Sequence, residues 1–278
     1  MITSEQKQNF LNILYNSKNE NEIQEYLEEN PYLLPVSFVL NHGINLDSYI
    51  SKLSIGTGYK TDFAYITKSS IEWRIVLVEI EDSKKKFFTR NGTPTSDFIQ
   101  ARDQVLEWKS YIESKGKSYV LEALDKLLVP VNMKNNPIGF KYLLIYGRTE
   151  ELRGNDKHLA KIQQYKDDSF DIITYDSLIS QCETGAYQYP RMILSIQDIN
   201  KVKIKRLPDS TISTPIFGFL NHHNLCLSQD QISYFKAQGY CIDDWMQGKP
   251  LTVSDKYPEK YMDTFFKFNK RNKNSGCE

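Results

Sequence analysis

The stretch Trp73-Arg74-Ile75-Val76-Leu77-Val78-Glu79-Ile80-Glu81 decides the fold of this chain. It is dense in β-branched and aromatic residues, which favour strands. Both alternating faces are apolar over most of its length, as in a strand that is buried on both sides. Because side chains alternate across a strand, Glu79 and Glu81 follow Leu77 on one face, where the apolar run stops. The stretch therefore predicts a central strand with two carboxylates at one end.

A second predicted strand precedes it and runs from Asp62 to Ile66. If the two strands pair as a hairpin, Asp62 lies near Glu79 and Glu81. Three carboxylates this close repel one another and raise one another's pKa, so the cluster needs a cation, a basic residue or bound protons. Ligand sets made only of oxygen suit hard ions such as Mg²⁺ or Mn²⁺. The hairpin thus predicts a site that holds such an ion, a basic residue or bound protons.

A helix from Phe98 to Ile112 follows the two strands. Its apolar residues recur every three or four positions and form one stripe, which consists of Phe98, Ala101, Val105, Trp108 and Ile112. Gln104 lies at the edge of this stripe, roughly 75° from its centre. We therefore expect Gln104 to face the carboxylates while the stripe packs on the sheet.

This order of Asp, Glu and Gln on two strands and a helix resembles the PD-(D/E)XK nuclease superfamily. Over about residues 20–182 the chain also resembles the nuclease domain of Shedu-type anti-phage proteins, at Leu27-Glu28-Glu29-Asn30-Pro31, Asp62-Phe63, Leu77-Val78-Glu79-Ile80, Ala101-x-x-Gln104-Val105-x-x-Trp108 and Ile173-Thr174-Tyr175-Asp176-Ser177-Leu178. The resemblance implies an α/β, restriction-endonuclease-like core with a mixed central sheet flanked by helices. It also implies a metal-dependent DNA endonuclease in anti-phage defence.

The resemblance assigns roles to the clustered residues. Asp62 and Glu79 would hold Mg²⁺ or Mn²⁺, and Gln104 would orient the attacking water or a phosphate oxygen. Glu81 stands where the family usually has Lys, as it does in some restriction enzymes, and would act as a third metal ligand or as the base for the water. In relatives of this fold an acidic residue of the first helix joins the metal site, which makes Glu28 or Glu29 a candidate.

Basic residues follow both predicted buried strands. A polar connection after the first carries Lys84, Lys85, Lys86 and Arg90. They form either a solvated loop or a DNA-binding face for the phosphate backbone, and one of the lysines can substitute for the missing motif Lys. Arg148 follows the strand predicted from Phe140 to Tyr146, where the family also has Gly-Arg. It either contacts DNA or caps the next helix through a carboxylate.

Composition narrows the class of protein. Charged residues make up 25% of the chain and the formal net charge is +0, so any DNA contact requires a local basic face. The sequence has no Walker loop and no Gly-x-Ser-x-Gly motif, which argues against a nucleotide-dependent enzyme and a serine hydrolase. It also lacks a long apolar run and an apolar signal core in Met1 to Asn9. We therefore expect a cytoplasmic protein.

We expect residues 1–186 to form the nuclease-like domain and residues 187–278 an accessory segment, with a linker at Pro208 to Pro215 and a helix at Tyr257 to Asn269. Cutting both strands of DNA often needs a dimer, so the predicted partners are DNA and further copies of the chain in a dimer or larger homo-oligomer, without a membrane. The missing Lys and the neutral charge keep an alternative open, namely a catalytically degenerate module that binds DNA or protein.

Overall fold

A computed structural model describes residues 2–40, 48–56, 58–128, 135–184, 191–198, 201–207, 220, 222–249 and 251–252. The linker predicted at Pro208 to Pro215 and the helix predicted at Tyr257 to Asn269 lie outside the described residues. No helix in the described ranges is both long enough and apolar enough to cross a membrane.

Helices form on both sides of the sheet. They are α1 (Ser4–Asn16), α2 (Glu20–Glu29), α3 (Ser96–Tyr111), α4 (Lys117–Leu128), α5 (Asp156–Gln164), α6 (Tyr175–Glu183), α7 (Gln229–Ala237) and α8 (Ile242–Met246). Short 3₁₀ turns lie at Pro31–Leu33 and Thr149–Glu151, and the π-helical turn Ile112–Gly116 joins α3 to α4. Side-chain caps fix where the helices nearest the site begin, because Asn19 accepts from the N–H of Glu22 and Thr95 from that of Phe98.

Strands of the described chain form a large mixed sheet and a small separate ribbon. They are β1 (Ser48–Ser51), β2 (Ser54–Gly56), β3 (Tyr59–Lys60), β4 (Phe63–Lys68), β5 (Trp73–Ile80), β6 (Ile138–Ile145), β7 (Phe170–Ile173), β8 (Met192–Asp198), β9 (Lys201–Arg206) and β10 (Leu225–Cys226). The large sheet has the order β10-β9-β8-β1-β4-β5-β6-β7, and β2 pairs with β3. The chain is therefore α/β, with a mixed central sheet flanked by helices.

The predicted hairpin is confirmed as β4 and β5. The two strands pair antiparallel with Phe63 opposite Val78, and the N–H of Asp62 donates to the carbonyl of Val78 at 3.1 Å. On its other edge β5 pairs in parallel with β6, which in turn pairs in parallel with β7. Strand β5 is therefore an interior strand of the sheet, and its apolar residues pack on both faces, as its sequence indicates.

Two apolar layers cover the two faces of this sheet. On one face, Ile75 and Leu77 of β5 pack with the predicted stripe of α3, which includes Val105 and Trp108. On the other face, the alternate residues of β5 pack with α1, α2 and α6, through a cluster that includes Val76, Val78, Phe10, Leu27 and Leu178. The carboxylates of Asp62, Glu79 and Glu81 lie just beyond the end of both apolar layers. The site therefore lies at the edge of the sheet between α2 and α3.

The segment after residue 187 contributes strands to the same sheet. Strand β8 pairs in parallel with β1, with Tyr49 opposite Ile193, and β9 pairs antiparallel with β8. The sequence alone indicates one or two strands here but gives no neighbour for them. The accessory role of this segment stays a prediction.

Candidate active site

Three of the predicted acidic residues are buried at one edge of the sheet. Asp62 precedes β4, Glu79 lies near the end of β5 and Glu81 lies just beyond it, with exposures of 6%, 8% and 8%. Because the strands are antiparallel, the beginning of β4 meets the end of β5. The carboxyl groups of Asp62 and Glu79 lie within hydrogen-bonding distance of each other. The hairpin thus brings these two acids into direct contact.

Asp62 is held by groups from three elements. Its Oδ2 accepts the backbone N–H of Ile80 at 2.9 Å, its Oδ1 accepts Lys52 Nζ at 2.5 Å, and its carbonyl accepts Gln24 Nε2 at 3.5 Å. Lys52 lies between β1 and β2 with φ at +53°, a left-handed conformation that costs an L-residue free energy. Backbone strain of this kind recurs at functional sites. Here it accompanies a lysine that contacts the acidic cluster.

Glu79 is the most strongly perturbed acid of the cluster. Burial raises the pKa of Glu79 to about 10, and the Asp62 carboxylate, a hydrogen bond with it, and the charges of Glu81 and Glu20 act in the same direction. Gln104 Nε2 donates to Glu79 Oε1, as the helical stripe predicts. Without a metal ion, Glu79 therefore holds a proton at neutral pH, within hydrogen-bonding distance of the Asp62 carboxyl group.

Glu81 contacts a lysine from the loop that follows β5. Lys85 Nζ donates to Glu81 Oε2, and the Glu81 backbone is fixed by Ile145 at 3.1 Å and by the hydroxyl of Tyr175 at 2.6 Å. Burial by itself lowers the pKa of Lys85, but the hydrogen bond and the charge of Glu81 outweigh it and raise that pKa. A cation thus lies beside the position where the family usually has Lys.

A fourth acid, Glu20, was missed by sequence reasoning. Burial raises the pKa of Glu20, the charges of Glu81 and Asp62 raise it further, and Lys85 and Lys52 lower it, which places Glu20 beside the cluster. The candidates from sequence lie elsewhere: Glu28 accepts from Ser51 Oγ and from Lys205, and Glu29 is exposed. The sequence does contain a signal for Glu20, namely its place on the apolar stripe of α2. Glu20 precedes Ile23 and Leu27 at the spacing i, i+3, i+7.

The predicted DNA-binding residues fall into separate environments. Lys84 Nζ donates to the carbonyl of Ser17 at the end of α1, and only Lys85 of the group contacts the acidic cluster. Lys86 and Arg90 are exposed. Arg148 forms two hydrogen bonds to Asp176, at 3.0 and 2.8 Å, and Asp176 also accepts the N–H of Thr149 at 2.7 Å. Arg148 thus makes the carboxylate contact that was the alternative to binding DNA.

The donor set can be compared with the needs of a divalent cation. Within the described residues, no group of three or more His, Cys, Asp or Glu side chains is gathered as a metal-ligand set. Asp62 and Glu79, however, are two buried carboxyl groups in contact. Such a pair requires a proton or a metal ion between its oxygens, because two ionised carboxylates repel. The pair fits Mg²⁺ or Mn²⁺, which bind oxygen ligands.

Comparison with known proteins identifies the family of the chain. No curated protein matches the chain. A family model described as "Shedu protein SduA, C-terminal" matches residues 17–179, which is more than half of the 278 residues. The matched range begins just before α2, ends within α6, and contains every residue of the acidic cluster. The chain therefore belongs to the family of C-terminal domains of the Shedu protein SduA.

Proposed function

We propose that the chain is a metal-dependent DNA endonuclease that acts in anti-phage defence. Membership of the Shedu family suggests the defence role. The contact between the carboxyl groups of Asp62 and Glu79 at the edge of the central sheet carries the proposal of nuclease chemistry. Gln104 on Glu79 adds the polar group that the PD-(D/E)XK pattern requires at this place. The mixed sheet flanked by helices agrees with a restriction-endonuclease-like core.

Asp62 and Glu79 would hold Mg²⁺ or Mn²⁺. When bound, the ion would lower the pKa of a water ligand and neutralise charge on the phosphate under attack. Asp62 is already oriented by the backbone of Ile80, and Glu79 by Gln104, so both carboxyl groups are preorganised before substrate arrives. Gln104 would also contact the attacking water or a phosphate oxygen.

Glu81 and Lys85 act together in this proposal. The reaction forms a bond between a water oxygen and phosphorus and breaks one ester P–O bond, so the attacking water loses one proton and the departing oxygen takes one from solvent. Glu81 would take the proton from the water. Lys85, which Glu81 holds in place, would bind an oxygen of the scissile phosphate through a charge-assisted hydrogen bond. The pair would thus replace the single Lys of the usual motif.

Plasmid cleavage tests the proposal. Supercoiled plasmid is incubated with wild-type protein, Asp62→Asn and the matched control Asp168→Asn, which changes an exposed carboxylate outside the cluster. We expect wild type and control to nick or linearise the plasmid in Mg²⁺ or Mn²⁺ and not in EDTA, and Asp62→Asn to be inactive. No metal-dependent cutting by wild type, or equal cutting by Asp62→Asn, would contradict the proposal. A lone protomer would nick; a homo-oligomer would bring sites to both strands.

A second candidate function is a non-cleaving module that binds DNA or protein. The observation that favours it is the pairing of Lys52 with Asp62 and of Lys85 with Glu81, which partly neutralises the acids without a metal ion. This candidate predicts that plasmid binding survives Glu79→Ala and that no preparation cleaves. Binding and cleavage measured on the same plasmid separate the two functions.

A further inference from the structure

Strand β9 presents a row of lysines on one face. Val202 and Ile204 are buried, at 3% and 5% exposure, whereas the lysines that alternate with them are exposed. Because side chains alternate across a strand, these lysines share the face opposite Val202 and Ile204. We call them the β9 lysine row, which consists of Lys201, Lys203 and Lys205. In a chain of formal net charge +0 the row is a local concentration of positive charge.

The row lies on the same side of the sheet as α2. Val202 and Ile204 belong to the apolar layer that contains α3, so the row faces the opposite side. Lys205 Nζ contacts Glu28 near the end of α2, while Glu20, the first residue of α2, lies beside the acidic cluster. From Glu20 to Glu28 a helix rises about 12 Å. That length corresponds to about three to four nucleotides along one DNA strand.

The spacing and the partners of the lysines suit a phosphate backbone. Alternate residues of a strand are about 6.5 Å apart, close to the axial rise of about two nucleotides. Lys205 is paired with Glu28. Among the side chains that the structure describes, neither Lys201 nor Lys203 has a carboxylate partner. Two lysines of the row are therefore available to an external anion.

We propose that the β9 lysine row binds the phosphate backbone of the DNA substrate, with the Lys205 end of the row about three to four nucleotides from the bond that is cut. The inference rests on the proposed nuclease function for the identity of the polyanion. The family match ends at residue 179, so the row lies outside the matched range. Lys201 and Lys203 make the contacts, and Lys205 is held by α2 at the end of the row nearer that helix.

The test uses the full chain and a fluorescent DNA duplex in EDTA. Wild type is compared with Lys201→Gln/Lys203→Gln and with the control Lys117→Gln/Lys157→Gln, which removes two exposed lysines from α4 and α5 on the other side of the sheet. Fluorescence anisotropy gives Kd over a series of NaCl concentrations. Loss of two phosphate contacts lowers the slope of log Kd against log salt by about 1.8 and weakens binding about 60-fold at about 0.1 M salt. We expect the control to behave as wild type.

Each outcome of this test supports or overturns the inference about the β9 lysine row, the nuclease proposal, or both. An unchanged slope and affinity in the β9 variant overturns the inference, and if wild type still cleaves plasmid, the nuclease proposal stands. If wild type binds DNA through the β9 lysine row but never cleaves plasmid, the inference is supported and the proposal of nuclease activity is overturned. Absence of duplex binding by wild type overturns the inference, and plasmid cleavage then decides the nuclease proposal separately. Competition by polyglutamate as strong as that by unlabelled DNA overturns the assignment to DNA, because the row would then be a general polyanion site. Thermal melting checks that the variants are folded.

Discussion

Replacement of Glu79 by Gln tests the central electrostatic claim without any substrate. Glu79 is 8% exposed, and burial beside Asp62 raises its pKa to about 10. A glutamine has the shape of the protonated acid: its Oε1 accepts from Gln104 and its Nε2 donates to Asp62. Glu79→Gln therefore keeps the hydrogen bonds that the metal-free site makes at neutral pH, but it removes the group that titrates.

The sign and size of the effect follow from linkage. A carboxyl group with an ordinary pKa of 4.5 ionises in the unfolded chain above that pH, while Glu79 keeps its proton in the folded chain up to about pH 10. The folded state then binds one more proton, so the free energy of unfolding falls with rising pH by about 1.4 kcal/mol per pH unit. The contribution is fully present below pH 4.5. Between about pH 5.5 and pH 7.5 wild type should lose about 3 kcal/mol that Glu79→Gln does not lose.

Urea unfolding in EDTA at these two pH values measures the difference. The comparison uses wild type, Glu79→Gln and Glu29→Gln, where the control removes an exposed carboxylate of α2. Other groups titrate alike in all three proteins, so the change in the gap between wild type and Glu79→Gln isolates Glu79. A gap that stays constant between the two pH values, or one that opens equally for Glu29→Gln, would refute a protonated Glu79 in the folded site.

Three further predictions concern the lysines at the cluster. Lys85→Ala should abolish plasmid cleavage. Adding Glu81→Lys to that variant should restore part of the cleavage, because it returns a cation to the usual motif position. A double variant as inactive as Lys85→Ala would contradict this prediction. Lys52 has φ at +53°, so urea unfolding should show Lys52→Gly to be more stable than Lys52→Ala by about 1 kcal/mol. Gly147 has φ at +56° and an added Cβ would lie 2.9 Å from the Lys85 carbonyl, so Gly147→Ala should lower both the melting temperature and the cleavage rate.

The central hairpin and the following helix could be predicted from local pattern. Strands β4 and β5 are adjacent in sequence, and the alternation of Trp73 to Ile80 fixes which side chains share a face. The stripe of α3 fixes the direction of Gln104 in the same way. Each of these inferences depends only on the side-chain periodicity of one element and on one short connection. Both can be seen in the sequence.

Other parts of the site depend on contacts between distant segments. Ser48 of β1 pairs with Met192 of β8, and no local period encodes that neighbour. Glu20 reaches the cluster through the packing of α2, and Lys52 reaches it through the turn after β1. Of the two, only Glu20 has a signal in the sequence, which is its place on the stripe of α2. Lys85 follows β5 in a loop whose conformation depends on contacts such as that between Phe87 and Glu151. Sequence pattern therefore finds the acids of the strands more readily than the charges that balance them.

Under the proposed function, that balance would account for Glu81 at the position where the family usually has Lys. The cluster contains four carboxyl groups, Glu20, Asp62, Glu79 and Glu81, and two lysines, Lys52 and Lys85, so its formal charge is 2 − 4 = −2. One proton on Glu79 reduces this to −1, whereas one divalent ion in place of that proton brings it to zero. With Lys at position 81 instead of Glu, the same ion would leave the cluster at +2. If the proposed divalent ion binds, the acidic replacement and the two lysines from other segments would together make a cluster of zero formal charge.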